Sequence, residues 1–337
     1  MYTVSAIIPV FNVEKYLKRC LDSVLTQTRD FDQVIVIDDG STDGCRDICA
    51  EYAEKYPAIK LVRKENGGLV SAWMEGLKYV ETTHICFIDS DDFIAQDYLE
   101  CLLDNLDEDV DLVSMQCIRY YNEDKSYKYK INGLCPGLYK MDDAIKSVML
   151  SDHGAFTRPI AVSRWGKIVR SDIVKKYAAY CTKKISFAED QQLTLGVLSG
   201  CEKIKILDEY KYYYQSNPSS ILNAYKKNMW ANVIELMQTI DKIPGMRHIP
   251  DYEIQYNTQF LTHMSECFLN EYNHSTFTKR YYCEVTNSVY IQNALKKYSS
   301  DKMRRFDKAI CKFASKKNYI GTLIWLHISK IVMYLRK

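Results

Sequence analysis

Residues 85–92 read ICFIDSDD, an apolar run that ends in a cluster of carboxylates. A continuous apolar run of this kind is typical of a buried strand in a parallel sheet. Ligands of open α/β sheets bind at the carboxyl ends of strands, so Asp89, Asp91 and Asp92 are expected to border a crevice. Mg²⁺ usually takes one or two carboxylates while phosphates and water complete its shell. The stretch therefore predicts half of a metal-diphosphate site, although Asp91 and Asp92 could instead cap the helix expected near Ala95.

The composition describes an ordinary globular protein. The chain has 337 residues, a formal net charge of +2 and 47% apolar residues. This length allows about two domains, and the charge balance excludes a global basic surface for nucleic acid. The twelve cysteines include no C-x-x-C pair, which favours reduced thiols in a cytosolic protein. The N-terminus enters a strand at once, without the features of a signal peptide, so we expect a cytoplasmic location.

Strand and helix patterns alternate over the first hundred residues. Apolar runs at 4–10, 34–37 and 59–62 predict strands, and the segments between them have helical spacing or polar turns. This alternation predicts an α/β fold with a Rossmann-like, mainly parallel sheet and helices on both faces. No G-x-G-x-x-G follows the first strand and no G-x-x-x-x-G-K-[ST] occurs. Their absence argues against a dinucleotide dehydrogenase and a P-loop NTPase.

Five short motifs are spaced along the same region. They are IPVFN at 8–12, LDSVLTQ at 21–27, VIDDGSTD at 36–43, ENGGL at 65–69 and DSDD at 89–92. Several motifs in the right order are far more specific than any one of them. Together they resemble the nucleotide-binding half of a family 2 glycosyltransferase with the GT-A fold, of the type that builds bacterial surface polysaccharides.

The resemblance implies roles for the residues at the matching positions. The donor-binding set would line the nucleoside, ribose and sugar of a UDP-sugar, and it consists of Pro9, Val10, Asn12, Glu14, Asp39 and Asp89. Within this set, Asp39 would read the uracil edge, although turn and cap chemistry is the simpler explanation for its neighbours Asp38, Ser41 and Thr42. Asp91 would bind the Mg²⁺ or Mn²⁺ that bridges the diphosphate and acts as a Lewis acid for the departing UDP.

The sequence departs from the family pattern at basic positions. Trp73-Met74 stand where the family often has an Arg-Asn pair, and Gln215 and Asn217 stand where relatives often have arginines. Either Arg63 or Lys64 could supply the missing charge, or the metal could carry more of it. The departures favour a metal over phosphate binding by protein groups alone.

Two further motifs, WGKIVR at 165–170 and FAED at 187–190, match the acceptor side of the family. Inverting transfer needs a base that removes the acceptor hydroxyl proton as that oxygen attacks the anomeric carbon. Asp190 is the candidate base. Glu189 would orient it or hold an acceptor hydroxyl, or could serve only as a helix cap, and Trp165 would form an apolar platform under a sugar ring.

The middle of the chain carries weaker signals. Residues 119–139 alternate and are rich in tyrosine, which predicts hairpin strands whose rings either stack on sugars or are only half-buried. His84 falls inside a predicted strand and is expected to be a core residue. His153, beside Gly154, could be a loop ligand.

The last third is predicted to be helical, with segments near 224–242, 252–271 and 277–297. Residues 296–337 contain twelve basic and two acidic residues. The apolar run within them, 319–335, is too short and too interrupted for a span of roughly 20 residues. A basic amphipathic helix suits the plane of an anionic membrane, and the alternative is a helix docked on its own domain. In the membrane case the acceptor is expected to be lipid-linked.

The sequence thus predicts a GT-A catalytic domain at 1–220, with a nucleotide-binding half at 1–100 and an acceptor half at 101–220, followed by a helical region at 221–337 with a basic tail. The predicted function is metal-dependent inverting transfer of a hexosyl or N-acetylhexosaminyl group from a UDP-sugar to a glycan, on the inner face of a bacterial cell membrane. One alternative is an inactive nucleotide- or glycan-binding subunit of a membrane-associated assembly complex. A nucleotidyltransferase would require a Gly-rich, Arg-bearing loop that the chain lacks.

Overall fold

The protein is built on one mixed sheet flanked by helices. The computed structural model describes residues 2–150, 158–216 and 225–335. The strands within them are β1 (Val4–Val10), β2 (Gln33–Asp38), β3 (Ile59–Arg63), β4 (His84–Phe87), β5 (Phe93–Ile94), β6 (Leu112–Asn122), β7 (Lys125–Tyr129), β8 (Gly137–Lys140), β9 (Lys167–Arg170) and β10 (Lys203–Gln215). They lie in the order β3-β2-β1-β4-β9-β6-β10-β5, with β7 paired to β6 and β8 to β10.

The strand directions determine which segments meet at one edge. β1 to β4 run parallel to one another, as do β6 and β10, and this confirms the predicted mainly parallel sheet. β9 runs antiparallel between β4 and β6. Because of its reversed direction, β9 begins at the edge where the parallel strands end. The segment before β9 can therefore contribute side chains to the crevice at the carboxyl ends of the strands.

Helices cover both faces of the sheet and follow it in sequence. They are α1 (Glu14–Leu25), α2 (Cys45–Lys55), α3 (Leu69–Leu77), α4 (Tyr98–Leu103), α5 (Asp143–Lys146), α6 (Ser171–Ala178), α7 (Asp190–Gly200), α8 (Met229–Asp241), α9 (Tyr252–Asn273), α10 (Lys279–Thr286), α11 (Val289–Ala294), α12 (Arg305–Ser315) and α13 (Tyr319–Leu335). None of the helices within the described ranges combines the length and hydrophobicity required for a membrane span.

The apolar strands are explained by burial on both faces. Successive residues of β1 point to opposite sides, so Ile7 belongs to the apolar cluster that includes Trp73 of α3, while Ile8 belongs to the cluster that includes Leu17 and Leu21 of α1. All five side chains are fully buried. The sheet is therefore a rigid platform whose carboxyl edge positions the loops that follow β1, β2 and β4.

Several expectations for the middle of the chain are borne out. His84 lies buried on β4, its Nδ1 is 2.9 Å from the Thr83 hydroxyl, and burial lowers its pKa to about 4. β6 and β7 form the predicted hairpin, on which Tyr127 and Tyr129 are about half exposed. β8 instead pairs with β10. His153 and Asn217 lie outside the described residues.

The helical region differs from its prediction in one place. The single helix expected at 277–297 is wrong, because the chain is interrupted after Thr286 and a new helix begins at Val289. The Ser288 side chain accepts a hydrogen bond from the backbone N–H of Ile291, which is ordinary N-cap chemistry. The division of the chain at residue 220 stays a prediction. One continuous apolar cluster reaches from the sheet into the C-terminal helices.

Candidate active site

A buried arginine joins the acids of the two motif regions. Arg164 lies just before β9, and its side chain is only 1% exposed. Its Nη2 donates to Asp89 Oδ1 at 3.3 Å, and its Nε donates to Asp190 Oδ1. The Arg164 backbone N–H also lies 3.4 Å from Asp190 Oδ2. Asp89 and Asp190 are therefore held side by side, although one follows β4 and the other begins α7.

The charges of this bridge do not balance, because the single cation of Arg164 faces two carboxylates. Burial raises the pKa of Asp89, the charge of Arg164 opposes that rise, and Asp190 adds to it. The two carboxylates raise the pKa of Arg164, although burial alone would lower it. One nitrogen of the guanidinium, Nη1, is buried and has no hydrogen-bond partner within the described residues. Since buried N–H groups are normally paired, the unpartnered Nη1 is unusual for a buried guanidinium.

The turn before α7 directs its two acids into the site. Ala188 has the left-handed backbone conformation, with φ of 52°, and its carbonyl accepts from Gln191 N at 3.0 Å. Glu189 occupies the N-cap position but makes no capping hydrogen bond with its side chain. The explanation of Glu189 as only a helix cap is therefore wrong. Burial, followed by the charge of Asp190, raises the pKa of Glu189 to about 7.

We expect Glu189→Gln to stabilise the protein at pH 8 but not at pH 4.5. The pKa of Glu189 is raised from 4.5 to about 7 in the folded state. The stability contributed by its neutral form is therefore complete below pH 4.5 and is lost as the pH rises through 7. Glutamine cannot ionise, so the variant avoids a loss of at most about 3 kcal/mol. Urea unfolding at both pH values measures the difference, with Glu54→Gln at an exposed position as the control. Parallel pH profiles for Glu189→Gln and wild type would contradict the expectation.

Asp91 and Asp92 have different surroundings. Asp92 is buried, and its carboxylate accepts hydrogen bonds from the Tyr212 hydroxyl and the Gln215 backbone N–H, each at 2.7 Å. Burial raises the pKa of Asp91, and within the described residues no other side chain forms an ion pair or hydrogen bond with its carboxylate. Neither acid caps a helix, because α4 begins only at Tyr98 with Asp97 as its N-cap residue. The capping alternative is wrong.

A divalent metal fits Asp91 as a single protein ligand. No group of three or more His, Cys, Asp or Glu side chains suited to a metal ion is found in the part of the chain that the structure describes. A site of Mg²⁺ type requires only one or two carboxylates when a diphosphate supplies further oxygens. The carboxylate of Asp91 lies in the turn after β4, has no side-chain partner among the described residues and meets that requirement, whereas Asp89 already faces Arg164.

The Asp39 side chain fixes a loop at the neighbouring strand ends. Its carboxylate is 3% exposed and accepts hydrogen bonds from Lys64 Nζ at 2.5 Å, Gly67 N at 3.1 Å and Gly68 N at 2.8 Å. The charge of Lys64 is thereby matched, and the backbone of residues 64–68 is set before any ligand binds. The role of Asp39 toward uracil stays a prediction.

The other predicted donor residues lie at the same edge and also tie loops together. Asn12 Oδ1 accepts from Thr42 N at 2.8 Å, and Glu14 Oε2 accepts from Gly44 N at 2.5 Å. Pro9 and Val10 are buried, so only their backbone could reach a ligand. Their donor-binding roles stay predictions. The structure does bring the whole set to the carboxyl ends of β1, β2 and β4.

A cleft of about 480 Å³ opens beside this set, at the carboxyl ends of β2 and β3. Its lining consists of Asp38, Gly40, Ser41, Arg46, Arg63, Lys64, Glu65 and Asn66. Arg63 and Lys64, the basic residues considered for phosphate binding, both face it. Lys64 already pairs with Asp39, and Arg63 donates to the Arg46 carbonyl at 3.0 Å. The position of the expected Arg-Asn pair is apolar instead, because Trp73 is fully buried against Phe87.

Trp165, the predicted acceptor-side residue, lies against two tyrosines. Its ring stacks on Tyr212 with centroids 4.6 Å apart and on Tyr214 with centroids 5.4 Å apart. Lys167 holds the turn before it, since its buried Nζ donates to the Ser163 carbonyl at 2.8 Å. Burial lowers the pKa of Lys167 to about 7. The role of Trp165 as a sugar platform stays a prediction.

Sequence reasoning missed two arginines that supply charge to the site. Arg164 gave no signal because it precedes the recognised motif by one residue. Arg19 of α1 lies with its guanidinium carbon 4.1 Å from the Phe93 ring centroid and donates to Gln215 Oε1 at 2.5 Å. Its charge opposes the rise in the pKa of Asp91. A cation thus reaches Gln215, where the sequence lacks an expected arginine.

Part of the sequence is similar to known proteins. The family model described as Glycosyl transferase family 2 matches residues 5–164. The uncharacterized glycosyltransferase EpsJ of Bacillus subtilis is 29% identical over 221 residues, which cover 65% of this chain and 62% of that protein. Glycosyltransferase GlyA of Streptococcus pneumoniae is 29% identical over 69% of this chain and 33% of its own. The minor teichoic acid biosynthesis protein GgaB of Bacillus subtilis is 30% identical over 68% of this chain and 25% of its own. The chain therefore spans less than two thirds of the length of each of these relatives.

Solved structures share the architecture. The crystal structure of S. aureus TarS 1-349 in complex with UDP matches with a TM-score of 0.68, and the match covers 97% of this chain and 91% of that one. The sequence identity is 19%, so this likeness concerns the fold alone.

Proposed function

We propose that this protein, whose residues 5–164 match the Glycosyl transferase family 2 model and whose fold is GT-A, transfers a sugar from a UDP-sugar to a glycan acceptor with inversion at the anomeric carbon. The relatives include glycosyltransferases, and a structural neighbour was crystallised with UDP. One observation carries the proposal. Arg164 holds Asp190, from the acceptor half, against Asp89, which lies two residues before Asp91.

Each residue of the cluster has a separate task in the proposed mechanism. Asp190 accepts the proton of the acceptor hydroxyl as that oxygen forms its bond to the anomeric carbon and the bond to UDP breaks. Arg164 orients Asp190 through Nε. A single displacement needs no nucleophilic side chain. Glu189 is the competing base, because burial and the charge of Asp190 raise its pKa to about 7.

Asp91 would hold Mg²⁺ or Mn²⁺ together with the oxygens of the diphosphate. The metal would supply Lewis-acid stabilisation of the negative charge on the departing UDP. Arg19 would add a cation on the same side through its approach to Gln215.

The acceptor in this proposal is a lipid-linked glycan of a bacterial surface polysaccharide, and the enzyme is cytoplasmic, on the inner face of the membrane. The likeness to a teichoic acid biosynthesis protein and the basic C-terminal run support this location. The sugar is a hexosyl or N-acetylhexosaminyl group.

The test is a panel of nucleotide sugars assayed for thermal stabilisation, with and without Mn²⁺. We expect UDP-sugars to raise the melting temperature more in the presence of Mn²⁺ than in its absence, and UDP-sugar hydrolysis to require the metal. A response only to dinucleotides would overturn the proposal. Stabilisation by UDP-sugars without hydrolysis or transfer would favour the inactive binding subunit instead.

Asp91→Asn is expected to remove the effect of Mn²⁺ on both measurements. The amide keeps the shape of the side chain but lacks the negative charge that holds a hard cation. Loss of several kcal/mol of Lewis-acid stabilisation corresponds to a decrease of about 10³-fold in the hydrolysis rate. Asp104→Asn is the matched control, because Asp104 is the exposed C-cap residue of α4. Full Mn²⁺ dependence in Asp91→Asn would exclude Asp91 as the ligand.

A further inference from the structure

The last helix presents an aliphatic surface to solvent. Four isoleucines of α13 are 44–60% exposed, and we refer to them as the isoleucine ridge. They are Ile320, Ile324, Ile328 and Ile331. Their spacing of four, four and three residues places them on one face of the helix. Single exposed apolar residues are normal on a protein surface, whereas a contiguous group of them often marks an interaction surface.

The opposite face of α13 already has its partner. Thr322 and Leu326 are fully buried, and Gly321 lies so close to Phe313 of α12 that an added Cβ would be 2.7 Å from the ring. The Tyr272 hydroxyl of α9 also lies 2.7 Å from His327 Nδ1. Docking on its own helical region therefore explains the inner face of α13. It leaves the isoleucine ridge without a partner among the described residues.

The surroundings of the ridge are strongly cationic. Residues 308–337 contain seven lysines and arginines and no aspartate or glutamate. Lys312, Lys316 and Lys317 are exposed beside the start of α13, and none of them forms an ion pair within the described ranges. Lys330 lies near the far end of the ridge, with its Nζ 5.7 Å from the Tyr272 ring centroid. Positive charge therefore flanks the apolar surface at both ends.

We propose that the isoleucine ridge is a docking surface for an anionic lipid bilayer. An aliphatic face between lysines suits a helix that lies in the interface, where its side chains enter the acyl region and its lysines meet anionic headgroups. A second copy of the chain is a poorer occupant, because a symmetric contact would bring the same lysines together. The inference does not depend on the proposed function, since docking requires no chemistry at the active site.

Co-sedimentation of the full chain with vesicles tests the proposal. We expect binding to phosphatidylcholine vesicles that contain phosphatidylglycerol to be at least about tenfold stronger than binding to phosphatidylcholine alone, and to weaken in high salt. The double variant Ile324→Asn with Ile328→Asn is expected to lose at least about tenfold of that binding. Both side chains are exposed, so thermal unfolding of the variant should match that of wild type.

Val289→Asn is the matched control, because Val289 is an apolar residue of α11 that is 63% exposed and lies outside the ridge. It should bind vesicles as wild type does. Absence of binding to anionic vesicles, or equal binding by the double variant and wild type, would overturn the proposal. A concentration-dependent dimer in light scattering that the double variant abolishes would assign the ridge to a second copy of the chain and would likewise overturn it.

Discussion

Replacing Arg164 with methionine is expected to lower the free energy of unfolding by about 3–5 kcal/mol and to abolish transfer. The guanidinium is 1% exposed and is the cation that separates the carboxylates of Asp89 and Asp190. Methionine fills much of the same volume but leaves two acids facing each other without a counter-charge. Urea unfolding and a transfer assay measure the two effects.

Arg170→Met provides the control for Arg164. Arg170 also pairs with two acids, Asp111 and Asp172, but its side chain is 46% exposed. Exposed pairs contribute about 0–1 kcal/mol, so the control should lose little stability. Arg164→Lys should fall between the two, since lysine keeps the charge but cannot bond both acids through a planar fork. Equal losses for Arg164→Met and Arg170→Met would contradict a central role for Arg164.

Asp190→Asn is expected to reduce transfer by about 10³-fold while leaving UDP affinity nearly unchanged. Removal of a general base costs typically 10²–10⁴-fold, and the amide cannot accept the acceptor proton. Arg164 keeps Asp89 as its partner, so the fold should survive the substitution. Steady-state rates with donor and acceptor, together with calorimetric titration of UDP, separate catalysis from binding.

Glu189→Gln is the comparison that assigns the base. If Asp190 takes the proton, Glu189→Gln should lower transfer by only about tenfold through weaker positioning of the acceptor. A larger loss in Glu189→Gln than in Asp190→Asn would transfer the role to Glu189, whose pKa is raised to about 7. Loss of UDP binding in Asp190→Asn would contradict the assignment of this residue to the acceptor side.

Sequence patterns were sufficient for the fold of the first hundred residues. The apolar runs of β1, β2 and β4 are buried on both faces, so their composition alone identifies strands, and parallel pairing brings their polar turns to one edge. Five spaced motifs predicted a resemblance to the family whose model matches residues 5–164.

Long-range contacts could not be predicted from the sequence. Nothing in the pattern of residues 158–170 shows that β9 runs antiparallel between β4 and β6, and Arg164 reaches Asp89 and Asp190 only because of that pairing. The hydrogen bonds of Asp39 could not be predicted either. The sequence pattern of a carboxylate after a strand is the same whether that carboxylate binds a ligand or a neighbouring loop. The break after Thr286 was detectable, because Ser288 is a good N-cap residue.

The bridge through Arg164 also has a consequence for how the chain is made. It joins residues 75 and 26 positions apart, so its contacts form only after distant segments have come together. During synthesis, the β1 to β4 region can leave the ribosome and begin to pair well before Arg164 and Asp190 exist. A nascent chain can thus pair β1 to β4 early, whereas the charged bridge can close only after Asp190 has emerged.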